Sequence, residues 1–143
     1  FESLYTTAHA SDDREILVLG LDEAFAVQYD GLARVEQHYA RLQRAGITQR
    51  ILVGEGTTDF LAETTAYRLL PRERFGKTVP VYIYGDRIAY HTGTLRRRTI
   101  IIEDKALAQS QRAIFHSLWN DARGPLSVDV KPWGTRAARG VGR

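Results

Sequence analysis

The chain has 143 residues, 43% hydrophobic and 26% charged, which is the size and balance of one globular domain with its own core. Having no cysteine, it can form no disulfide, thiolate nucleophile or Cys-ligated metal site, and no apolar run approaches the ~20 residues needed to span a bilayer. The net charge of +3 resides in the last twenty residues, where Lys131, Arg136, Arg139 and Arg143 face Asp129 alone, so the body before Gly124 is neutral and its composition gives no basic excess for phosphate contacts.

Ser11-Asp12-Asp13 reads as a turn or cap. Ile16-Leu17-Val18-Leu19-Gly20 is a short continuous apolar run closed by glycine, the pattern of a strand buried on both faces. A helix is predicted from about Tyr29 to Ala45, with Leu32, Val35, Tyr39 and Leu42 on one stripe and Arg34, Glu36, Gln37, Arg41 and Arg44 on the other side. Gly46 follows directly, where a C-terminal cap needs positive φ. Arg50-Ile51-Leu52-Val53-Gly54 repeats the first strand, so the segment is a βαβ unit with a parallel pair.

From Glu55 to Thr78 the pattern weakens. Thr57 or Thr58 caps a short predicted helix running through Phe60, Leu61 and Tyr67, which Pro71 ends. Val79 to Tyr84 and Arg87 to Tyr90 are β-rich and flank Gly85-Asp86, a hairpin signal. Thr99-Ile100-Ile101-Ile102 is another apolar strand. Asp104 then caps a last helix to about Ala122, with Leu107, Ile114, Phe115, Leu118 and Trp119 as its apolar face. Gly124-Pro125 stops that helix. The fold class is therefore α/β, a mixed β-sheet layered with two main helices. The chain divides into a domain over residues 1–123 and a basic tail over 124–143, whose Gly and Arg content predicts flexibility.

One ordered series stands out: Tyr84-Gly85-Asp86-Arg87-Ile88-Ala89, then Thr99-Ile100-Ile101-Ile102-Glu103-Asp104, then Leu107-Ala108 through Ile114-Phe115 to Leu118-Trp119. It resembles the C-terminal effector region of TrmB-like transcriptional regulators over about forty residues. The resemblance implies a phospholipase-D-like half-domain and the sensing part of a regulator, whose winged helix-turn-helix lies upstream of the matching region; the expected regulator is a homodimer, and the absence of cysteine fits a cytoplasmic protein. Some members of that family bind sugars here, but none of their contact residues aligns with this sequence.

Phospholipase-D chemistry needs a histidine nucleophile, a lysine two residues on and an aspartate four residues beyond it, for covalent attack and charge clamping of phosphorus. His9, His38, His91 and His116 all lack that lysine, so no catalytic residue is assigned. Neither helical histidine has a ligand at i±4, since His38 sees Arg34 and Leu42 and His116 sees Arg112 and Asn120; no metal site or cofactor is expected.

Ligand binding is best placed at the carboxyl ends of the first two strands. Gly20 and Asp22 follow one strand, and Gly54, Glu55, Gly56 and Thr57 follow the other; a plain strand-to-helix turn is the competing reading. Arg96 and Arg98 fall on one face beside the last strand and near His91, as an anion or partner contact or as a solvated hairpin end. Trp133 is set to dock the tail or to join an interface. Two functions follow: a non-enzymatic effector domain that binds a small molecule and reaches DNA only through a separate domain, or an assembly module whose basic tail contacts nucleic acid or an acidic partner. Neither involves a membrane.

Overall fold

The computed structural model describes residues 14–20, 28, 30–57, 65–74, 79–92 and 98–124. Their element order is β1 (Glu15–Leu19), α1 (Leu32–Arg44), β2 (Thr48–Gly54), β3 (Thr65–Leu70), a 3₁₀ turn (Arg72–Arg74), β4 (Val81–Tyr84), β5 (Arg87–Thr92), β6 (Arg98–Glu103) and α2 (Lys105–Asp121). The strands form one mixed six-stranded sheet in the order β3-β2-β1-β4-β5-β6. β1, β2 and β3 run parallel, while β4, β5 and β6 follow as an antiparallel meander joined to β1 through β4.

Strand alternation divides the core into two layers. On one face Ile16, Val18, Ile51, Val53, Tyr67, Tyr82, Tyr84 and Ala89 pack with Leu42 of α1, with Tyr39 at the margin. On the other face Leu17, Leu52, Leu70 and Ile83 pack with Phe115 and Trp119 of α2. Burial on both sides explains why β1 and β2 read as unbroken apolar runs.

The helix ends follow local chemistry. In α1 the Gly46 N–H donates to Gln43 O at 3.0 Å and the Ile47 N–H to Leu42 O at 2.9 Å, the paired bonds of a Schellman cap. Gly46 sits at φ 71°, so an L side chain there would be strained. At the start of α2 the Asp104 carboxylate accepts the Leu107 N–H at 2.9 Å, as its position before the helix predicts.

Two expectations need correction. Tyr67 lies in strand β3, not in a helix, and it is buried on the α1 face of the sheet. Phe60 and Leu61, expected in that same helix, fall outside the described residues. In α2 the buried side is Ala108, Phe115 and Trp119, whereas Leu107 and Ile114 are each 48% exposed. They lie seven residues apart on the flank away from Arg112, whose guanidinium donates to Gly85 O at 2.7 Å.

Candidate functional site at the carboxyl ends of the parallel strands

Three parallel strands end together at Gly20, Gly54 and Leu70. The Gly20 N–H donates to Leu52 O at 3.1 Å, which brings the loop after β1 beside the loop after β2. The turn after β2 is tightly closed: the Thr57 hydroxyl donates to Gly54 O at 2.7 Å, and the Thr57 N–H reaches the same oxygen at 3.2 Å. Gly56 has φ 88°, and a Cβ there would lie 3.5 Å from Arg72 Nε. Arg72 lies across this loop and donates from Nε to Glu55 O at 2.6 Å.

Glu55 does not point into open solvent alone. Its carboxylate pairs with Arg123 Nη2 at 2.9 Å. Arg123 reaches it because its backbone forms a two-bond bridge to Leu69, at 2.9 Å each way, on the outer edge of β3. The loop is thus framed by Arg72 and Arg123, two residues from distant parts of the sequence.

This geometry narrows the chemistry. The amides of Gly20, Glu55 and Thr57 are all committed to backbone carbonyls, so they do not form an anion-binding nest. The groups that present polar atoms are side chains: the Thr57 hydroxyl, the Glu55 carboxylate and the Arg72 and Arg123 guanidiniums. Together they offer both hydrogen-bond donors and acceptors, with charges of both signs. Sequence reasoning missed Arg72 and Arg123. Nothing in the chain order marks them, because their placement depends on β3 being a strand and on the Leu69–Arg123 bridge.

Of the other sequence-derived candidates, Arg98 sits on β6 at the opposite edge of the sheet and does not join this cluster. Asp22 and Arg96 fall outside the described residues, as does Trp133. Arg98 is exposed at the start of β6, and its cross-strand partner is Thr92. His91 pairs instead with Thr99, so its ring lies on the opposite face of the sheet from Arg98. It is buried there, within 3.1 Å of the Thr99 hydroxyl and edge-on to Tyr82. The expected proximity of Arg98 to His91 therefore fails by strand parity. Among the described residues no three His, Asp or Glu side chains come together to hold a metal ion. No helix among them is long and apolar enough to cross a membrane.

A second polar group lies beneath α2. Glu15 of β1 and Arg50 of β2 form a bidentate pair at 2.9 and 2.7 Å. Arg50 also lies 5.6 Å from the Trp119 ring, and Arg68 of β3 lies 4.7 Å from it. Arg68 donates to Trp119 O at 2.9 Å, tying the last turn of α2 to the parallel half of the sheet. The residues after that turn, including Arg123, are held at the strand ends in consequence.

These features define an α/β domain with a mixed sheet, two helical layers and a polar cluster at the ends of its parallel strands. The chain superposes on a solved structure of TrmBL2, described as an archaeal chromatin protein with a novel mode of DNA binding. The match has a TM-score of 0.50 at 15% identity and covers 85% of this chain. It covers 49% of that protein, so the chain spans about half its length. At this identity the likeness is one of fold. No protein-family model and no curated protein matches the sequence.

Proposed function

We propose that the chain is a non-enzymatic effector domain of a transcriptional regulator, binding a small polar molecule at the carboxyl ends of β1 and β2. The fold shared with TrmBL2 supports the regulator reading. The observation that carries the binding site is the framing of the Gly54–Thr57 turn by Arg72 and Glu55–Arg123. In parallel α/β sheets ligands bind beyond the carboxyl ends of the strands. A ligand that exchanges the Glu55–Arg123 pair for its own hydroxyl contacts shifts the balance between two states of the loop, and a DNA-binding part supplied outside this sequence reads that balance.

A thermal-shift screen against sugars, nucleotides and other metabolites tests this. Saturation with the right class raises stability through mass action, by ~2.7 kcal/mol at a hundred times Kd. Arg72→Ala should abolish the shift while leaving the chain folded. No shift with any class, from a well-folded protein, would reject the sensor reading.

A second reading is favoured by one observation, the concentration of the net positive charge in residues 124–143. In it the domain is an assembly module and the tail contacts nucleic acid or an acidic partner. Removing residues 124–143 then abolishes association, and binding by the intact chain falls steeply with salt.

A further inference from the structure

We propose that β6 is a self-association edge, through which two copies of this chain join their sheets by antiparallel pairing about a two-fold axis at Ile101. This rests on the sheet edges and is independent of the ligand site.

The sheet has two outer strands, and they are treated differently. The edge of β3 is blocked at Leu69 by the bridge to Arg123. Among the described residues nothing pairs with the outer edge of β6. β6 is six residues long, pairs with β5 without a bulge and carries neither proline nor lysine. Short length, a bulge, proline or charge along the strand ordinarily blunts an exposed edge, and here the charges, Arg98 and Glu103, sit only at the two ends. Ile100 on this strand is 49% exposed.

The direction of the amides fixes which residues are available. The Asp104 N–H donates to Asp86 O at 3.0 Å, toward β5. By antiparallel alternation the amides of Arg98, Ile100 and Ile102 point the same way, and those of Thr99, Ile101 and Glu103 point out of the sheet. These three outward residues are symmetric about Ile101. A two-fold axis there sets Ile101 against Ile101 and Thr99 against Glu103, so every outward amide and carbonyl of the strand is paired.

The same register matches the side chains. Arg98, exposed at the start of β6, falls opposite Asp104 of the other copy, and Ile100 falls opposite Ile102. The strand is basic at one end and acidic at the other, with isoleucines between. Antiparallel self-pairing joins unlike charges, whereas a parallel pairing would set arginine beside arginine. One strand pair buries little surface, so the dimer is weak and forms at high micromolar concentration.

The chain's lack of cysteine allows a register-specific test. Sedimentation of the wild-type chain at high micromolar concentration should give a dimer. Ile100→Asp places an unpaired carboxylate at each half of the interface and should weaken association at least ~tenfold. Separately prepared Ile100→Cys and Ile102→Cys chains, mixed and oxidised, should cross-link to each other far more than either does alone. A wild-type monomer at those concentrations would overturn the proposal. So would a dimer whose mixed cysteine chains fail to cross-link preferentially, whether or not Ile100→Asp folds.

Discussion

Several interactions converge on Trp119. It stacks on Phe115 with ring centroids 5.7 Å apart, and Arg68 and Arg50 lie against its ring. Truncation to alanine removes a large buried ring and exposes both guanidiniums, so Trp119→Ala should cost ~3–5 kcal/mol in a urea melt. Glu15→Gln is a smaller change. The Glu15–Arg50 pair is bidentate but partly solvated, and its loss should cost about 1 kcal/mol. A double-mutant cycle with Arg50→Ala should return a coupling of similar size. The sequence made Phe115 and Trp119 legible as core, but not the arginines beneath them. An arginine in a strand looks like a solvated residue until the register places it under an aromatic ring. Leu107 and Ile114 misled in the opposite direction, because a wide apolar stripe does not reveal which of its flanks the sheet covers.

At the scale of elements, the end of α1, the start of α2 and the β4–β5 hairpin were readable because short-range chemistry decides them, whereas α1 begins at Leu32 rather than Tyr29. Gly46 and Asp104 act within three or four residues of themselves. Asp104→Ala should therefore destabilise the domain by ~1 kcal/mol, measurable as a lowered melting temperature, whereas Asp104→Ser should recover most of the loss. β3 was not readable. Ala66, Tyr67, Leu69 and Leu70 show no clean period of two, because Tyr67 faces the α1 layer, Leu70 faces the α2 layer and Arg68 reaches Trp119. What makes this segment a strand is its six-residue parallel pairing with β2, a tertiary fact that overrides local pattern. The candidate site inherits this limit. Its glycines and Thr57 were visible in the sequence, and its arginines arrive only with β3 and the residue bridged to it.

At the scale of the whole molecule, a neutral body carries a basic extension. Removing residues 125–143 should leave the melting temperature of the domain nearly unchanged, since the Gly and Arg content of that stretch predicts flexibility. If the assembly reading holds, the same truncation removes nucleic-acid association, as a mobility-shift titration over a salt series would show. The sensor reading predicts instead that ligand response survives truncation, because Glu55, Thr57, Arg72 and Arg123 all remain.

Amide hydrogen exchange, resolved along the chain with and without a pool of small polar metabolites, reads occupancy of the strand-end site. Ligand binding at the strand ends predicts slowed exchange at Gly20 and across Gly54–Thr57, with α2 unchanged. Identical exchange at those amides in both conditions, with the protein folded throughout, would contradict it.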